Sequence, residues 1–197
     1  IGKTLGDVVV AVAGAGINGV VVGCAIHRWR ALRDALEPLF ATYYAIPIFA
    51  FYPLFIVLFG LGSTPQILIG FMLATIAVLT TTLSALDRVP PVLMRTARSY
   101  RMGPAEAALK IALPCAAPYL VTGVKLAVSY AFIGIVGAEF IMSRDGLGFE
   151  INYAYNNFDN ARMYPLIVLV ILFSVAVNSA LLRWEARLAR RRGLKST

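Results

Sequence analysis

Residues 8–23, VVVAVAGAGINGVVVG, place Gly14-x-Gly16-x-x-Gly19 directly after an apolar run. A dinucleotide-binding turn uses that spacing: its glycines let the backbone approach a pyrophosphate at a helix N-terminus, and an acid about 20 residues on binds the ribose. Asp34 and Glu37 stand at suitable distances, but the residues before Asp34, HRWRALRD, are charged and carry no strand pattern. The same glycines have a second use, because small residues every third or fourth position let membrane helices pack closely; Gly16, Gly19 and Gly23 fit that spacing. Other chemistry is sparsely supplied. No Gly-x-x-x-x-Gly-Lys-Ser/Thr phosphate loop is present. One histidine, His27, and two cysteines, Cys24 and Cys115, give a metal site little to build on. No metal, cofactor or catalytic group is expected in this chain.

Composition decides between the two uses of the glycines. The chain is 59% hydrophobic and 14% charged, with a mean hydropathy of +0.77, whereas a soluble domain carries about 25% charged residues. A membrane helix needs about 20 mostly apolar residues, and the runs 4–26, 42–60, 66–86, 118–140 and 163–182 qualify or nearly do. They are apolar on both alternating phases, which argues against a β-barrel. The expectation is an all-α membrane protein with five spanning helices in a single domain, residues 1–197, and packing glycines in the first helix.

The net charge of +8 records topology rather than nucleic-acid binding. Arg28, Arg30 and Arg33 follow the first run; Arg88, Arg95, Arg98, Arg101 and Lys110 follow the third; Arg183, Arg187, Arg190, Arg191, Arg192 and Lys195 follow the last. Only Lys3, Arg144 and Arg162 fall on the other side. Positive charge collects in the cytoplasm, so the C-terminus is expected inside and Ile1 outside. Residues 1–7 show no signal peptide, and one further helix ahead of Ile1 would bring the count to six.

Within the runs, Pro47 and Pro53 each remove a helix hydrogen bond, which predicts a kinked second helix that either borders a pathway or is bent for packing alone. Glu139 is the carboxylate nearest a span interior; it marks either a pathway or an interfacial residue bonded to its own loop. Lys125 is placed to snorkel, and Asn18 and Asn178 to bond between helices. The outer loop, residues 141–162, mixes aromatic and polar residues suited to a binding-protein contact or an interfacial belt.

The segment 87–114, DRVPPVLMRTARSYRMGPAEAALKIALP, is basic and too polar to span. Pro90-Pro91, Gly103-Pro104 and Pro114 divide it into two expected short helices, 92–102 and 104–113. Val92, Leu93, Thr96, Ala97 and Tyr100 form one stripe beside Arg95, Arg98 and Arg101. Such a helix either docks in a groove on a partner or lies on anionic lipid.

This segment resembles the cytoplasmic loop of the inner-membrane permease subunits of binding-protein-dependent ABC importers. Their signature is Glu-Ala-Ala, three residues, Gly, nine residues, then Ile-x-Leu-Pro. Here Ile111, Leu113 and Pro114 match its ending, Arg95-Thr96-Ala97 stand at the Glu-Ala-Ala and Arg101 at the Gly. Only Ala97 agrees in that first half; Gly103 lies two residues late, and the literal EAA at 106–108 is out of register. EPLFATYYAIPIFAFYPLFIVLFGLG and LPCAAPYLVTGVKLAVSYAFIGIVGAEF followed by GLGFEI are similar to the nitrate, sulfonate, taurine and pyrimidine-precursor branch. The resemblance implies a type I ABC importer permease fold whose first helix precedes this chain. It implies a bacterial inner-membrane location, a second permease copy, and an external substrate-binding protein. It also implies separate ATPase subunits that hold ATP and Mg and receive the 87–114 loop. The alternatives are an ion-gradient carrier, for which Glu139 would supply the carboxylate, and a non-transporting scaffold whose loop binds lipid.

Overall fold

The computed structural model describes residues 1–191, with the side chains of all of these except Arg30, Ala41, Met142 and residues 188–191. Of the basic residues expected to mark the inner side, Arg192 and Lys195 lie outside the described residues, as do the side chains of Arg30, Arg190 and Arg191.

Helix α1, Gly2–Arg28, is one uninterrupted rod, so the opening glycine motif holds no strand and no turn. Helix α4, Ser63–Asp87, runs parallel to it: Lys3 meets Gln66 at one end and His27 meets Asp87 at the other. Helix α7, Leu113–Met142, is antiparallel to both, with Glu139 beside Thr4 and Ala116 packed near Leu86. These three rods form the core, whose centre is made of small residues: Ala11, Ala15, Ala74, Ala127 and Ala131, joined by Val8, Val78 and Ile135. Large apolar side chains such as Val9, Ile17 and Val21 point outward. That inverted arrangement suits lipid, where close backbone approach rather than expulsion of apolar groups from water holds helices together. A Cβ on Gly19 would sit 2.7 Å from Cβ of Val78, and one on Gly23 would sit 2.9 Å from Cβ of Thr82. Gly16 faces open space instead, and it is Gly14 that abuts Phe71. The expected packing trio is therefore corrected to Gly14, Gly19 and Gly23.

The second run differs from the single kinked helix expected over 42–60. Helix α2, Arg30–Thr42, is followed by two 3₁₀ turns, Tyr43–Ala45 and Ile48–Phe51, and by the short helix α3, Tyr52–Phe59. The chain bends by 82° there. Pro47 caps the second 3₁₀ turn and Pro53 sits at the start of α3, positions where a missing N–H costs nothing. The prolines begin helical turns instead of kinking one. Because α1 and α4 are parallel, residues 29–62 carry the chain back from one end of the bundle to the other.

Helix α5, Pro91–Ser99, is followed by α6, Pro104–Ala107. The expected stop at Pro114 is also corrected, because α6 passes through a wide π turn, Ala108–Ala112, straight into α7. The ring of Pro114 crowds the carbonyl one turn back and withholds a donor, and a wider turn at that point relieves both. Helix α8, Leu147–Asn156, lies within residues 141–162, the expected outer loop, and α9, Asn160–Arg191, is the last helix among the described residues. Helix α9 leans on α7 through Phe132 and Phe173 and through Glu185, which accepts from Thr122 at 2.5 Å and Lys125 at 2.8 Å. Lys125 thus pairs across helices, where snorkelling was expected. Among the described residues, four helices are long and apolar enough to cross a membrane, or five if the bent α2–α3 pair is counted as one crossing.

Candidate functional site

The basic end of the bundle carries the segment 87–114. Val89 is buried with Ala85, Leu86, Ala112 and Ala116, which fixes the chain before it turns. Pro91 then begins α5 at a position that needs no N–H. Met94 packs on the same cluster and Ala97 is 1% exposed, so one face of α5 is held against the body. Val92, Leu93, Thr96 and Tyr100 are exposed, Tyr100 by 78%. The stripe expected from spacing therefore divides: Ala97 is an anchor, and its four companions form an outward surface. Arg95 and Arg98 line a cleft of about 720 Å³ between α5, α6 and the ends of α1 and α4, together with His27, Arg28 and Asp87.

Arg101 closes α5 in the left-handed region, at φ 54°. Its N–H donates to the carbonyl of Arg98 at 2.9 Å, and that of Met102 donates to Ala97 at 3.0 Å. These are the two bonds of a Schellman cap, whose pivotal residue is normally glycine because a Cβ is disfavoured there. Arg101 is also the residue that stands at the signature's Gly, so the geometry supplies a physical reason for that letter. Gly103 has an ordinary extended backbone and caps α6. Ile111 and Leu113 are half-buried and Pro114 exposed at the α6–α7 passage.

Asp87, the last residue of α4, accepts two bonds from Arg33 at 2.6 Å each and lies 3.2 Å from Nε2 of His27. A bidentate guanidinium–carboxylate pair fixes direction as well as distance. The clip holds α2 beneath the ends of α1 and α4. Spacing alone could not reveal it, because its members are 54 and 60 positions apart.

Glu139 lies at the opposite end, fully buried. Its carboxylate accepts from Oγ1 of Thr4 at 2.9 and 3.1 Å and from the N–H of Gly148 at 3.0 Å. Thr4 in turn accepts from the N–H of Leu147 at 3.1 Å. Glu139, Pro47 and Pro53 line neither the basic cleft nor the apolar groove of about 730 Å³ between α1, α7 and α9, whose walls include Val8, Phe132 and Phe173 and whose rim carries Asn178. Asn18 is exposed on α1. The structure brings together the residues of the 87–114 loop and keeps them apart from Pro47, Pro53 and Glu139.

Long apolar helices, with a short amphipathic helix pinned at their basic end, are the architecture of a membrane protein. Residues 16–193 match the family described as binding-protein-dependent transport system inner membrane component, and the chain belongs to that family. The nitrate import permease protein of Leptolyngbya laminosa is 28% identical over 165 residues, covering 84% of this chain and 59% of that protein. The bicarbonate transport system permease protein of Synechococcus elongatus is 31% identical over 177 residues, covering 89% and 62%. The taurine transport system permease protein of Escherichia coli is 29% identical over 151 residues, covering 77% and 55%. The chain spans about three-fifths of the length of the curated relatives it matches.

Proposed function

We propose that the chain forms the membrane path of an ATP-driven importer, working as a pair with a second permease copy in a bacterial inner membrane. Separate ATPase subunits supply ATP hydrolysis, and an external binding protein delivers the cargo. The observation that carries this reading is the state of α5: anchored through Met94 and Ala97, it presents Val92, Leu93, Thr96 and Tyr100 outward. An amphipathic helix offered in this way fits a groove on a partner. The basic end is then cytoplasmic, in keeping with the collected positive charge. In this reading the chain crosses five times, residues 29–62 supplying the second crossing.

The cargo is a small nutrient of the kind the relatives are named for, such as nitrate or taurine, or a sulfonate or pyrimidine-type precursor. Residues 43–51, with Pro47 at their centre and Pro53 just beyond, are our candidate wall of the path. Irregular backbone at membrane depth is tolerated only where protein buries it or a watered cavity meets it, and Tyr44, Ile46 and Phe51 are exposed in the single chain. Uptake and ATP hydrolysis measured together in membranes test the reading. Val92→Asp and Tyr100→Asp are expected to lower uptake at least about tenfold, as loss of a central docking contact does. Wild-type uptake in both variants would reject α5 as the coupling element.

A further inference from the structure

The buried carboxylate of Glu139 belongs to no cavity described above, and the residues around it have been fitted to it. Gly146 holds φ at 103°, and a Cβ there would fall 2.2 Å from Cδ of Glu139. A Cβ on Gly148 would fall 2.2 Å from the carbonyl oxygen of Val136 and 2.7 Å from Cβ of Glu139. The chain can pass this close to α7 only as Gly146-Leu147-Gly148. Leu147 is buried between the two glycines.

The carboxylate acts on a helix start. Gly146 is the N-cap of α8 and, having no side chain, offers no cap of its own. The orphan N–H groups of the first turn are met from elsewhere: Gly148 by Glu139, and Leu147 by the hydroxyl of Thr4. A negative charge at the positive end of a helix is favourable, and a charged acceptor makes the stronger hydrogen bond. Thr4 donates to Glu139 while accepting from Leu147, so α1, α7 and α8 share one relay. Around it, Lys3 bonds Gln66 of α4 at 2.6 Å and pairs with Asp145 at 2.9 Å, and Gln66 donates to Ser143 at 2.7 Å. Asn152 on α8 donates to the carbonyl of Phe140. The start of α8 is thereby tied to every helix of the core, while Tyr153, Tyr155 and Phe158 further along stay exposed.

We propose that Glu139 is a positioning residue that locks the N-terminus of α8 to α1 and α7, so that this outer segment moves with the bundle during transport instead of as a free loop. The transport part rests on the importer reading; the locking part does not. The test is hydrogen exchange in the transporter held in lipid nanodiscs, comparing Glu139→Gln, Thr4→Val and Thr4→Ser with the unaltered protein. Glu139→Gln and Thr4→Val are expected to speed amide exchange at residues 147–150 by about tenfold or more, the scale of a lost charged hydrogen bond. Residues 69–83 of α4 should be unchanged, and Thr4→Ser, which keeps the hydroxyl, should behave as the unaltered protein. Uptake should fall with the lock while basal ATP hydrolysis persists.

Unchanged exchange at 147–150 in both Glu139→Gln and Thr4→Val would overturn the lock. If Glu139→Gln loosens the whole bundle, the Thr4→Val and Thr4→Ser pair decides: a local loss restored by serine supports the lock, and equal behaviour of the two rejects it. Faster exchange with undiminished uptake would overturn the transport role. A preparation that binds no ATPase would reject the importer reading and leave the exchange comparison to decide the lock on its own.

Discussion

Arg101 shows how a residue departing from a motif still exposes the motif's physics. Its left-handed backbone costs an L-residue about 1 kcal/mol relative to glycine, and the Schellman bonds from Arg101 and Met102 hold it there. Arg101→Gly is expected to raise the stability of the loop by about that amount, and Arg101→Val to lower it, as read from exchange protection at residue 102 in the detergent-purified chain. The glycines of α1 offer a second contrast. Gly19→Leu must drive a side chain into Val78, at a cost of about 1–3 kcal/mol. Gly16→Ala meets open space and gains up to about 1 kcal/mol in helix propensity. Thermal unfolding of the two variants should move in opposite directions, and equal shifts would contradict the packing. Spacing predicted the packing of Gly19 and Gly23 but named Gly16 where Gly14 packs, since that choice depends on the facing surface of α4. Glu139 has the same character: its partner Thr4 lies 135 positions away, out of reach of any local pattern.

At the scale of elements, the runs 4–26, 66–86, 118–140 and 163–182 each fall inside one long helix, because an unbroken apolar stretch of that length has no other stable form in a membrane. Helix α7 begins before its run, at Leu113, and α9 continues past its run to Arg191, where polar residues keep the helix going. The broken segment between α2 and α3 was not legible in this way: Pro47 and Pro53 were expected to kink one helix, and a proline's missing N–H has the same spacing in sequence whether it bends a helix or begins a turn. Pro114 misled for a related reason: a wide turn absorbed it. Helix α9 rests on few fixed points, and its 18 most apolar residues contribute nothing buried. Its pair Lys125–Glu185, with side chains 19% and 27% exposed, is therefore expected to matter. Lys125→Met leaves a partly buried carboxylate without its cation and should cost about 2 kcal/mol, whereas Lys125→Met with Glu185→Gln should cost less. Thermal unfolding of single and double variants checks this; a double change as costly as the single one would show that packing, not the pair, holds α9.

For the whole molecule, composition and the uneven spread of arginine and lysine pointed to a membrane bundle with one basic end, and the family match agrees with the resemblance read from residues 87–114 and their flanks. What remained hidden was the division of α5 into an anchored and an offered face, which depends on Val89 and Met94 meeting the ends of α4 and α7 and on the burial of Ala97. That division is the centre of the account. The direct test is to purify the complete protein in detergent from its native host, once with native α5 and once with Val92→Asp and Tyr100→Asp together, and to identify what remains bound. The account predicts an ATPase subunit held by the native form and lost from the altered one, with both forms inserted in the membrane to the same extent. An ATPase held equally by both forms, or a chain that purifies alone in both, would contradict it.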